Sequence, residues 1–155
     1  MVIIGRPDNK EVNLARGKHA TQSSTYFGTG EDQSASRGVD GIMAPGKDPV
    51  GMFITNADAN PWWQVDLGAS HRLTRLRIFN RVGPDVVGRS RTIEALTSAD
   101  GASWTSVHSH DGTPRETLDI DLSGMTARYV KLQLRERTHF HLFEVEVFGY
   151  ETSGR

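Results

Sequence analysis

The chain reads as an all-β protein, an antiparallel sandwich of two packed sheets, and three observations lead there. Short segments alternate apolar and polar side chains: Arg75-Leu76-Arg77-Ile78, Tyr129-Val130-Lys131-Leu132-Gln133-Leu134-Arg135 and Phe143-Glu144-Val145-Glu146-Val147. Period two over four to seven residues is the mark of a half-buried strand. Turn-forming clusters separate such segments at Ala99-Asp100-Gly101, Asp111-Gly112-Thr113-Pro114 and Ser123-Gly124. No window sustains an amphipathic helical period. Evenly spaced strands with polar turns pack as two sheets, and their loops gather at the ends of the sandwich, where binding residues concentrate.

In chain order, the stretch from Phe27 to Asn60 is long, irregular and rich in Gly and Asp, and long ordered loops are commonly functional. Asn60-Pro61-Trp62-Trp63-Gln64-Val65-Asp66-Leu67-Gly68 then delivers the chain into a sheet, because proline favours an extended residue before it. Successive side chains of a strand face opposite ways, so one tryptophan is expected in the core and its neighbour outside. Further strands are expected at Thr92 to Thr97, Trp104 to Ser109 and Thr117 to Leu122.

With 155 residues, a formal net charge of -1 and no cysteine, the chain suits one domain built without disulfides or thiolate metal sites. Arginines cluster locally at Arg72, Arg75, Arg77, Arg81, Arg89 and Arg91, but acidic residues balance them, so no nucleic-acid partner is expected. Met1-Val2-Ile3-Ile4 is too short for a signal-peptide core, and no apolar run reaches bilayer length. Residues 1–12 are read as an N-terminal linker, 13–150 as the domain and 151–155 as a C-terminal tail. That organisation suggests a module taken from a longer protein, with a small free-standing protein as the alternative.

Candidate chemistry is sparse. Asp40 in Val39-Asp40-Gly41, within the long loop, and Glu144 in the final strand offer carboxylates of the kind calcium takes, although many solvated loops look the same. His139 and His141 flank Phe140 without a third ligand at motif spacing, and read as packing or surface histidines rather than a zinc site. No Gly-x-Ser-x-Gly elbow, phosphate loop or His-Glu-x-x-His helix appears, and no catalysis is expected. The loop Asn80-Arg81-Val82-Gly83-Pro84-Asp85-Val86-Val87-Gly88-Arg89-Ser90-Arg91 holds three arginines beside an apolar pair. Guanidinium forks grip vicinal hydroxyls, carboxylates or phosphates. A solvated hairpin whose arginines pair with Asp85 and Glu94 is the plainer alternative.

Several motifs in fixed order resemble a known family. Asn13-Leu14-Ala15 with Gly17-Lys18-His19-Ala20-Thr21-Gln22-Ser23-Ser24 looks like the opening strand of discoidin-like (coagulation factor type C) domains. Val39-Asp40-Gly41, Pro61 to Gly68, Ser98-Ala99-Asp100-Gly101-Ala102-Ser103-Trp104, Arg128-Tyr129-Val130-Lys131-Leu132 and Phe143 to Gly149 follow in the family's order. Within it, the Arg81 loop is most similar to fucose-binding F-type lectins and to modules appended to bacterial carbohydrate enzymes. The resemblance implies an eight-stranded jelly-roll-like sandwich of the galactose-binding-domain type. It also implies a structural calcium ion, held by the side chains of Asp40 and Glu144 and by backbone carbonyls near Arg37, Ile42, Gly51 and Phe143.

The implied ligand is a glycan, fucose- or galactose-type, gripped by Arg81 with Arg89 or Arg91. Val86 and Val87 would lie beneath the sugar, and Asp85 and Asn56 would add polar contacts. The family's pattern sets a histidine ahead of Arg-x-Asp-x-x-x-x-Arg, and the position that corresponds here is Ile54. An extracytoplasmic location and a multidomain or multivalent assembly are implied as well. Two other readings stay open. One is a discoidin-type module contacting a protein or membrane through an apolar patch of Tyr26, Phe27, Met52, Phe53 and Ile54. The other is a structural module that binds no sugar.

Overall fold

A computed structural model describes residues 10–43 and 48–151. The expectations for most of the N-terminal linker and of the C-terminal tail lie outside the described residues. The described strands are β1 (Glu11–Asn13), β2 (His19–Gln22), β3 (Phe53–Ile54), β4 (Asp58–Ala59), β5 (Trp62–Asn80), β6 (Glu94–Ser98), β7 (Thr105–His108), β8 (Thr117–Asp121), β9 (Thr126–Gln133), β10 (Arg137–Thr138) and β11 (His141–Tyr150). Three of these, β3, β4 and β10, are two residues long. The other eight carry the sandwich. β1 begins inside the segment read as linker, and its three residues pair with Phe148 to Tyr150.

One strand belongs to both layers. The first half of β5 pairs with β2 on one side and β9 on the other, and β6 and β7 extend that sheet. Beyond the exposed Gly68-Ala69-Ser70 corner, the second half pairs with β11 and β8, and β1 closes the far edge of β11. All these pairings are antiparallel. Alternation along β5 buries Trp63, Val65 and Leu67 in its first half and Leu73, Leu76 and Ile78 in its second. Ala95, Val130, Leu132, Val145 and Val147 meet them from the neighbouring strands to form the core.

The tryptophans divide as the strand period demands. Trp63 is fully buried, stacks on Phe53 at 5.5 Å between ring centres, and donates its indole N–H to the Ala35 carbonyl at 2.9 Å. Trp62 points to the outer face, where the Lys131 ammonium lies 5.2 Å from its ring and 5.1 Å from that of Trp104. Burying one large indole with its polar atom satisfied is worth about 1.5–3 kcal/mol or more.

The apolar patch expected at the loop tips is not there. Met52 and Phe53 are wholly buried and Ile54 is 3% exposed. The reason is pairing: β3 joins β11 through Phe53–Leu142 and Ile54–His141, which turns Phe53 inward between Trp63 and Phe140. Met52, Ile54 and Phe143 form a second small cluster, with Tyr26 and Phe79 packed on it. Of the expected patch, only Phe27 is largely exposed, at 80%.

Candidate functional site

The arginine loop is hung from one buried amide at the end of β5. Asn80 donates from Nδ2 to the carbonyls of Val87 (3.0 Å) and Arg115 (2.9 Å). Its Oδ1 accepts from the Arg81 backbone N–H at 2.8 Å and from the Ser90 hydroxyl at 3.3 Å. The loop closes on itself through the short 3-10 helix Val87–Ser90 and through Val86 and Val87, both donating to the Gly83 carbonyl. The backbone that carries Arg81 and Arg89 is thereby anchored.

The two arginines meet side chains from two other segments. Tyr26, Thr29, Ile54, Arg81, Arg89 and His139 line a cleft of about 260 Å³. The wall carrying Tyr26 and Thr29 is tied to β3, because Tyr26 N–H donates to the Ile54 carbonyl at 2.9 Å and Gln33 Nε2 donates to that of Met52 at 2.6 Å. Thr29 in turn donates to Gln33 Oε1 at 2.8 Å. A Cβ at Gly28 would overlap the Tyr26 hydroxyl, so a larger residue there requires the Tyr26 side chain to move. His139 sits between β10 and β11 with Nδ1 2.8 Å from the Thr55 carbonyl oxygen, and its ring stands edge-on to Tyr26 at 5.0 Å.

The cleft is electropositive. Burial, and then Arg89, lower the pKa of the Arg81 guanidinium, while Asp48 acts in the opposite direction. Next to Ile54 in the β3–β11 register lies His141, fully buried, with neither ring nitrogen hydrogen-bonded. Burial first, and then the charges of Arg81 and Arg89, push its pKa down to about 3. Its imidazole is therefore neutral near pH 7 and adds no third charge to the arginines.

The residues expected from the sequence divide. Arg81, Arg89 and Ile54 converge on this cleft. Arg91 lines a different cavity with His108 and His110, and pairs with Glu136 at 2.9 Å. Asp85 is exposed, and Val86 and Val87 are half-buried within the loop. Asn56 is exposed and tied by its backbone N–H to the Ser24 hydroxyl. None of Arg91, Asp85, Val86, Val87 and Asn56 lines the cleft. Of the partners named in the plainer alternative, Glu94 pairs with Arg135.

A second constellation lies at Asp40 and Glu144. Glu144 is 2% exposed; Oε2 accepts the Gly41 N–H at 2.8 Å, and Oε1 is buried without a hydrogen-bond partner. Burial above all, with Asp40 adding to it, lifts its pKa to about 8. Asp40 accepts from Ile42 N–H at 2.9 Å and faces Arg37 at 3.3 Å. Gly41 has φ +77°, and a Cβ there would lie 2.6 Å from the Arg16 guanidinium, so this turn specifically requires glycine. Arg37 lies in the 3-10 helix Ala35–Val39, Gly51 has φ +77°, Ile42 is 56% exposed and Phe143 is buried. Among the described residues no group of three or more His, Cys, Asp or Glu is placed to hold a metal ion.

Sequence reasoning missed Tyr26, Thr29 and His139 as a set. The signal for His139 was the His139-Phe140-His141 pair itself, which reads as packing or surface histidines. His141 is the packed one, and His139, half-buried, borders the cleft.

Comparison with known proteins covers most of the chain. The profile of the NedA-like galactose-binding domain, of the F5/F8 type C class, matches residues 37–132. Fucolectin-6 from Anguilla japonica is 33% identical over 137 residues, which cover 85% of this chain and 72% of that protein. The lectin domain of lectinolysin complexed with Lewis b antigen superposes with a TM-score of 0.76 at 31% identity, covering 89% of this chain and 96% of that one. A Streptococcus pneumoniae fucose binding module, SpX-3, gives a TM-score of 0.79 at 26% identity, covering 90% and 99%. With its sandwich, its ordered motifs and these relatives, the chain belongs to the F5/F8 type C family of galactose-binding-like domains, alongside fucolectins and fucose-binding modules.

Proposed function

We propose that this domain is a non-catalytic, lectin-like module that binds a fucose-type sugar at the Arg81–Arg89 cleft. One observation carries the reading: two arginines, on a loop anchored by the buried Asn80 amide, converge on a cleft with an apolar floor of Ile54 and Tyr26. Guanidiniums are donors only, so they grip hydroxyl and ring oxygens, while the floor receives a C–H face. Preorganisation matters here, because the loop carrying both arginines is already fixed before any ligand arrives. The relatives include a fucolectin, a fucose binding module and a lectin domain complexed with a Lewis antigen, which supports a fucosylated ligand.

A glycan array followed by calorimetric titration with L-fucose tests this. Binding by the wild type that falls at least tenfold in Arg81→Ala supports it. A flat array and a flat titration would leave a structural module without sugar binding. One small cleft gives weak monovalent affinity, so useful avidity would come from several copies or a tethered partner, on glycans outside the cytoplasm.

The proposal extends to calcium at Asp40 and Glu144. Its support is the buried, unpartnered Glu144 Oε1 beside a second carboxylate, a donor set that suits a hard cation. Backbone carbonyls near Arg37, Ile42, Gly51 and Phe143 would complete it. A bound cation would neutralise the carboxylates and tie the Asp40 turn to β11, under the cluster that floors the cleft. Calcium should raise Tm in the wild type and not in Glu144→Gln; equal melting with calcium or chelator would remove it.

A further inference from the structure

The cleft has two strong donors, and a bound sugar hydroxyl that accepts from an arginine has its own proton to place. An acceptor of fixed position is therefore needed. Thr29 already donates to Gln33 Oε1 and accepts the Glu31 N–H at 3.0 Å, which leaves its hydroxyl one lone pair. Ile54 has no polar atom. His139 is different, because its seat is rigid. The Thr55 N–H donates to the Phe140 carbonyl at 2.9 Å, the Phe140 N–H donates to Thr55 Oγ1 at 2.9 Å, and Tyr26 packs edge-on against the ring.

The tautomer follows from the partner. A carbonyl oxygen only accepts, so the 2.8 Å contact to Thr55 requires the proton on Nδ1. In the neutral ring, Nε2 is then left with a bare lone pair. We propose that His139 is the specificity-determining acceptor of the cleft: with Nδ1–H locked on Thr55, its Nε2 takes the proton of a hydroxyl whose oxygen Arg81 or Arg89 holds. The ligand class this selects is a neutral sugar with a hydroxyl that accepts from a guanidinium and donates to the imidazole, beside a second hydroxyl for the other arginine. The arrangement also explains how a cleft with an isoleucine at position 54 keeps an imidazole: it comes from the β10–β11 junction.

This inference rests on the sugar-binding reading, and the test separates the two. L-Fucose would be titrated into the wild type, His139→Phe, which keeps a ring against Tyr26 without its nitrogens, and His139→Gln, whose amide oxygen accepts. Long-range nitrogen–proton NMR of the wild type would read the His139 tautomer directly. The expected results are an Nδ1–H tautomer, an Nε2 resonance that moves on adding fucose, a loss of tenfold or more in His139→Phe and partial recovery in His139→Gln. Wild-type binding with undiminished affinity in His139→Phe, or an Nε2–H tautomer, would overturn the role of His139 and leave sugar binding standing. No wild-type binding to fucose or across a sugar panel would overturn both.

Discussion

Replacing Asn80 with alanine should cost both stability and sugar affinity, because one side chain serves the end of β5 and the arginine loop together. Its amide is 5% exposed and takes part in four hydrogen bonds, to Val87, Arg115, Arg81 and Ser90. Truncation leaves two carbonyls, one backbone N–H and the Ser90 hydroxyl to find new partners in a largely closed site. Each buried unsatisfied group costs about 1–3 kcal/mol, and partial entry of water reduces the sum, so a total of roughly 2–4 kcal/mol is expected. For a domain of this size that is a fall in Tm of roughly 5–15 °C.

Asn80→Asp sharpens the test, since it sets an oxygen in place of Nδ2 against two carbonyl oxygens and should be at least as harmful. Urea unfolding gives the stability change and fucose titration the affinity, which should fall about tenfold as the Arg81 backbone loses its anchor. Wild-type stability in Asn80→Asp would refute the reasoning, because the two donated hydrogen bonds would then count for nothing.

Three further outcomes follow from the same geometry. Trp63→Ala should destabilise by about 3–5 kcal/mol in chemical denaturation, whereas Trp62→Ala on the outer face should change stability by under about 1 kcal/mol. Arg89→Ala should lose sugar affinity and Arg91→Ala should not, since Arg91 lines another cavity; equal losses would place the ligand differently. Arg128, bonded at 2.8 and 3.0 Å, holds the Asp66 carboxyl below its ordinary value of 3.8. A depressed carboxylate stabilises above its unfolded value and loses that contribution as pH falls through the lowered one, so Asp66→Asn should flatten the acid limb of Tm against pH.

Much of the fold was legible because alternation is a local property. The second half of β5, β8, β9 and β11 all lie where period two placed them, and the adjacent tryptophans parted to opposite faces. The two-residue strands were not legible, because a bridge such as Phe53–Leu142 exists only through a partner nearly ninety positions away. Met52-Phe53-Ile54 carries no period, so three consecutive apolar residues in a glycine-rich stretch read as a loop tip instead of core.

The site was half legible for the same reason. Arg81 and Arg89 announce themselves by type and by the loop they share, but spacing alone offered no choice between Arg89 and Arg91. That choice is made by Glu136, whose carboxylate draws Arg91 away. His139 reaches the cleft through a hydrogen bond to Thr55 across 84 positions, and no local pattern encodes such a contact.

A crystal grown with calcium and soaked in L-fucose tests most directly whether a fucose-type sugar sits in the cleft between Arg81 and Arg89. Sugar density is expected with hydroxyls on both guanidiniums and on His139 Nε2, and a C–H face toward Ile54 and Tyr26. An empty cleft, or sugar bound instead on the outer face at Trp62 and Trp104, would contradict it.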